Sequence, residues 1–200
     1  MKPFNFILIL ALTAIASHLT ALYIIPSAIM AIAMEHIPVK GVLSASQDGY
    51  SANANTQEIR TAIIDRQGIN AAMPSPRVDH HMRSVVRSTP DILYTACIYD
   101  LSVGPLQLTT PTKGGYTSVS AFSSNTDNFF VQDDRTAVEH QLDVTLVTDG
   151  WRGNIPTGSK AVISPSDKGI VLFRVLIDSE AELALHVERQ RQARCTPVTI

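Results

Sequence analysis

Apolar residues are not spread evenly along this chain: they crowd into its first sixth and afterwards recur in short, mostly alternating runs. From Phe4 to Met34 the strongly polar side chains are Asn5 and His18, and no charge interrupts a stretch of about 31 positions. Roughly 20 apolar residues cross a hydrocarbon core, so residues 1–34 predict one transmembrane helix with overhang and leave no room for two. Pro26 divides the stretch and predicts a kink or a helix end between Tyr23 and Pro26. A cleaved signal peptide is the rival reading, with Lys2, an apolar core and Ala14-Ile15-Ala16 as the cleavage site. The apolar run continues through Leu22, Ile24, Ile25, Ile29 and Ile32, well past that site, which favours an uncleaved signal anchor. Lys2 flanks one side, while Glu35 and Lys40 nearly cancel on the other, so the N-terminus is expected in the cytoplasm. His18, in mid-span, is expected as a neutral imidazole facing a partner or a backbone carbonyl.

Residues 35–87 change character, with small and polar side chains, several Asn, and Pro38, Pro74 and Pro76. They read as a linker holding one short helix, Thr56 to Gln67, capped by Thr56 and stopped by Gly68. Residues 88–200 then carry strand signals: Leu93 to Asp100, Leu106 to Leu108, Tyr116 to Phe122, Asn128 to Gln132, and Leu142 to Leu146. Ala161 to Ser164 and Gly169 to Ile177 complete the set, the last apolar on both faces and so expected at the centre of a sheet. A C-terminal helix follows, with Ser179 and Glu182 as a capping box and Leu183 and Val187 on one face. Arg189, Arg191 and Arg194 are expected on a solvated face that complements the helix dipole. The predicted fold class is α+β, mainly β: a sandwich or jelly-roll-like antiparallel core with a C-terminal helix, preceded by one transmembrane helix.

The net charge of −2 and pI near 6.3, with scattered Lys and Arg, exclude nucleic acid as a partner. Gly153 to Lys160 has the glycines of a phosphate loop, but its lysine follows Ser159 and Pro156 removes an N–H, so it reads as a turn. His80-His81 lacks further ligands at metal spacing, and no Gly-x-Ser-x-Gly elbow occurs, so no metal, cofactor or catalytic residue is nominated. Asp133-Asp134 reads as a turn or strand end. Asp91, Arg135 and Arg174 are charges beside apolar strands. With Tyr94 and the single tryptophan, Trp151, they form the candidate pocket. Cys97 and Cys195 are the two cysteines. A disulfide between them would tie the C-terminal helix to the sheet in an oxidising compartment, and two buried free thiols are the alternative.

Thr89-Pro90-Asp91-Ile92-Leu93-Tyr94, followed by Asp100-Leu101-Ser102-Val103-Gly104-Pro105, resembles the bacterial family known as domain of unknown function twelve-fifty-four. The likeness continues through Asn125 to Phe129, Asp134-Arg135-Thr136, Gly150 to Gly153, Ile163 to Ser166 and Val171 to Asp178, and ends at Thr196-Pro197. It covers roughly residues 85 to 198. The family's Arg-Thr-Thr-Gly stretch is reduced here to Arg135-Thr136-Ala137-Val138. The resemblance implies a mostly β fold in the cell envelope. With the anchor, it implies a single-pass protein of the bacterial inner membrane with its domain on the periplasmic side. It also implies a companion, a small membrane protein of the twelve-fourteen domain family, because in longer relatives both domains share a chain. The leading functional expectation is a binding or interaction module that is not an enzyme. The alternative is an extracytoplasmic hydrolase or transferase with a site near Asp91, Tyr94 and Arg135.

Overall fold

A computed structural model of the chain describes residues 3–47, 68–78 and 89–198. The helix predicted at Thr56 to Gln67 and the His80-His81 pair lie outside the described residues. Helix α1 runs without a break from Pro3 to Gln47, through both Pro26 and Pro38, so the helix end expected between Tyr23 and Pro26 is not there. A proline removes one backbone hydrogen bond, whereas ending the helix inside an apolar segment would strand many more polar groups without partners. Ile7–Glu35, 29 residues, is long and apolar enough to span a membrane.

Two sheets stack behind that helix. The first, five-stranded, has the order β1 (Met73–Pro74), β2 (Ile92–Asp100), β8 (Lys168–Leu176), β4 (Thr117–Ser123) and β5 (Asn128–Asp133). The second, four-stranded, has the order β7 (Lys160–Ser164), β6 (Gln141–Thr148), β3 (Leu106–Pro111) and β9 (Arg194–Pro197). The expected mainly β, sandwich-like architecture is present, with one departure from an antiparallel core: β6 and β7 pair in parallel. Residues 149–159, rich in Gly and Pro, are long enough to return the chain to the starting edge, which a two-residue hairpin cannot do. Part of the stretch read as linker is also ordered, since α1 extends to Gln47 and β1 pairs with β2.

Strand alternation builds the interior. Leu93, Cys97 and Tyr99 of β2, Val171, Phe173 and Val175 of β8, Leu106 and Leu108 of β3, and Leu142, Val144 and Leu146 of β6 are all buried. Strand β8 sits between β2 and β4, which explains why it is apolar on both faces. Its odd-numbered residues fill the core, while Ile170 and Leu172 face the other way and meet α1. Gly169, the second residue of this strand, leaves room for nothing larger: a Cβ there would lie 2.1 Å from the Phe122 carbonyl and 2.5 Å from the Tyr99 hydroxyl. That hydroxyl pairs with Ser164 Oγ at 2.9 Å, a buried polar link from β2 to β7 in the opposite sheet.

The chain ends with α2 (Leu183–Arg191) and β9, and Cys195 of β9 forms a disulfide with Cys97 of β2. Their Cα atoms are 6.5 Å apart and 98 residues separate them, so the bond joins the two sheets directly. Leu183 and Val187 pack with Leu93, Val175 and Ile177, closing one end of the sandwich.

Candidate functional site

Across the outer face of the five-stranded sheet, backbone register sets Tyr94 beside Arg174, Arg174 beside Ser118, and Ser118 beside Asp133. Arg174 Nη1 donates to Ser120 Oγ at 2.7 Å, and the Tyr94 hydroxyl accepts from the Thr89 amide at 3.3 Å. Ser118 and Ser120 are buried. Of the sequence-predicted pocket, Tyr94 and Arg174 are therefore brought together. Asp91 stands in the turn before β2, where its carbonyl accepts from the Ile177 amide at 2.8 Å. Arg135 points to solvent, 81% exposed and 3.6 Å from Asp133. Trp151 lies in the loop after β6, beside the second sheet, with its ring against Gly153 and its indole N–H buried without a partner. The Tyr94–Arg174 strip offers hydrogen bonds and a positive charge to a ligand.

A second constellation was missed by the sequence reading. It arises where the expected capping box fails. Ser179 makes no side-chain cap hydrogen bond, because residues Glu180–Glu182 form a 3-10 turn before α2 and shift its start to Leu183. Glu182 is thereby released from capping. Asp178, Glu182 and His186, each four residues apart, stack on one side, and their ligand atoms lie within 4.8 Å of one another. His186 is fully buried. Its Nε2 lies 2.9 Å from Asp178 Oδ1 yet lacks hydrogen-bond geometry to it, leaving a buried nitrogen with no satisfied partner. Its Nδ1 faces Arg189 Nη1 at 3.3 Å rather than a hydroxyl that it could activate.

Of the three arginines expected on a solvated face, Arg191 and Arg194 are exposed, whereas Arg189 is only 4% exposed. Its guanidinium donates to the Gly114 carbonyl, to the Gly115 carbonyl at 3.0 Å and to Thr117 Oγ1 at 2.6 Å. Burial pulls its pKa down, opposed by the carboxylates of Asp178 and Asp134. The residue holds the turn between β3 and β4 against α2. Gln190, also buried, donates to the Ser75 and Tyr94 carbonyls at 2.8 and 2.7 Å. In the sequence, the signal for this group is the four-residue period Asp178, Glu182, His186. It has neither the His–His nor the Cys–Cys spacing that marks a metal site in sequence.

Residues 69–197 match the family described as Protein of unknown function (DUF1254). No curated protein matches the chain. Among solved structures, the VPA0106 protein from Vibrio parahaemolyticus is similar in fold, with a TM-score of 0.54 at 11% identity. That likeness covers 86% of this chain and 37% of the Vibrio chain. An uncharacterized protein from Burkholderia cenocepacia gives a TM-score of 0.42 at 13% identity, over 62% of this chain and 37% of its own. The chain therefore spans little more than a third of the length of either structure.

Proposed function

From the fact that the chain belongs to this family of proteins of unknown function, and from how its apolar helix meets its β domain, we propose a membrane-anchored envelope protein. Its β domain would bind a partner at the membrane surface. One observation carries the reading: Met30 and Ala33, inside the apolar span, are buried on Ile98 and Ile170 of the β domain. A helix rises 1.5 Å per residue, so the 29-residue span is about 43 Å long against a hydrocarbon core of about 30 Å. The excess, about 13 Å or some nine residues, corresponds to the turns that pack against the sheet. The domain would then rest on the membrane rather than swing on a tether.

The disulfide supports an oxidising compartment, hence the periplasmic side of the bacterial inner membrane with the N-terminus in the cytoplasm. The fold shared with a much longer Vibrio chain supports a domain that works beside another. The partner proposed is the small membrane protein of the twelve-fourteen domain family. The test is made in spheroplasts that contain both proteins. Added protease should remove the β domain and spare the N-terminus, and cross-linking before proteolysis should join the two proteins. A protease-resistant β domain would place it on the wrong side of the membrane. Complete absence of cross-linking, with both proteins well expressed, would remove the partner.

A further inference from the structure

We propose that Asp178, Glu182 and His186 form a binding site for one divalent transition-metal ion of the zinc class, at the end of the sandwich closed by α2. This inference is independent of the partner reading above.

Three features of the cluster favour a cation over a closed ion pair. The first is the donor set, one imidazole nitrogen and two carboxylate oxygens, which suits zinc with three protein ligands and a remaining position open to water. The second is the state of His186. A fully buried imidazole normally satisfies both nitrogens, yet Nε2 has a carboxylate oxygen at 2.9 Å and no hydrogen bond to it. Two donor atoms that share a cation at 2.0–2.2 Å stand roughly 3 to 3.5 Å apart, so the pair is already close to the spacing of neighbouring ligands. The third is charge. Asp178 and Glu182 bring two carboxylates to one imidazole, and of the two Asp178 also faces the guanidinium of Arg189. A divalent ion would balance the remainder.

Access and cost can both be read from the geometry. Asp178 and Glu182 are exposed while His186 is buried. An ion would arrive from solvent, and the two carboxylates can close by rotamer changes without disturbing the core. For Nε2 to ligate, the ring proton must reside on Nδ1, where it would face the Arg189 Nη1 donor at 3.3 Å, so the guanidinium must draw back from the ring and give up that contact. Arg189 keeps its bonds to Gly114, Gly115 and Thr117. That lost contact is long for a hydrogen bond, so the change weakens the site without forbidding it. The open coordination positions face solvent, where a carboxylate or phosphate group of a ligand could complete the shell.

The experiment uses the full-length protein in detergent, stripped with a chelator and titrated calorimetrically with zinc. Cobalt absorption serves as a second readout of nitrogen and oxygen coordination. One zinc per chain is expected, released by chelator. Asp178→Asn and Glu182→Gln alter exposed side chains, and each should weaken binding at least about tenfold. Substituting both His80 and His81 with alanine should leave binding unchanged. His186→Gln should abolish it, and if that variant fails to fold, the two carboxylate variants decide. Absence of zinc uptake, wild-type affinity in both carboxylate variants, or loss of binding on removing the His80-His81 pair would each overturn the proposal.

Discussion

Two helices pack on the same sandwich by opposite chemistry. Helix α1 meets the outer face of the five-stranded sheet through Met30, Ala33 and Met34, set among Ile98, Ile170, Leu172 and Phe122. Every one of those groups is apolar, so the contact is non-directional and rests on burial alone. Helix α2 also contributes apolar side chains, Leu183 and Val187. Beside them it buries the guanidinium of Arg189, the amide of Gln190 and the imidazole of His186, and four residues after its last residue, Arg191, the chain is bonded covalently to β2 through Cys195. Directional bonds and a covalent link fix α2 in one position. The contact of α1 is apolar throughout. The rigid end is the one that carries the Asp178–His186 group, as a site that must hold its geometry requires.

The largest effect should follow loss of the covalent link. Replacing Cys97 and Cys195 together by serine should lower unfolding stability by roughly 2–5 kcal/mol, since the bond closes a loop of nearly 100 residues in the unfolded chain. Urea denaturation followed by Trp151 fluorescence measures it. A change below about 1 kcal/mol would show that the polar contacts of α2 suffice without the bond. Next comes Arg189→Met, which strands the Gly114 and Gly115 carbonyls behind a side chain that cannot donate. A loss of roughly 2–4 kcal/mol in the same assay is expected, and an unchanged midpoint would mean that those carbonyls find water instead.

The smallest effect belongs to α1. Met30→Glu places a carboxylate between helix and sheet and should cost about 1–2 kcal/mol, the order of one lost apolar contact surface. The sandwich should remain intact by circular dichroism, while a photo-cross-linker at position 34 should cease to reach the β1 segment around Met73. If instead the sandwich unfolds, the comparison fails and α1 is as much a part of the domain as α2.

Several features of the molecule were legible in the order of its residues, and the reason is local. An uncharged apolar run predicts a membrane helix because hydrocarbon admits no unpaired polar backbone group. Period-two runs predict strands because successive side chains alternate faces, and the double-faced run from Gly169 to Ile177 predicted a central position that β8 in fact occupies. Cys97 and Cys195 could be paired because no other cysteine competes. Other features depended on contacts between residues distant in sequence. Pro26 does not end α1, and the two-residue strand β1 exists only because β2 offers it an edge. Arg189 resembles any basic residue near a helix terminus until the turn at Gly114-Gly115 folds over it and supplies carbonyl acceptors some 75 residues away in sequence. The capping box at Ser179 was a sound local expectation. It lost because the 3-10 turn shifted the helix start and left the Glu182 carboxylate beside His186 and Asp178. The apolar pattern therefore determined which segments are helix or strand. Tertiary packing decided which polar groups meet, because a buried charge takes its role from the partners that the fold brings to it.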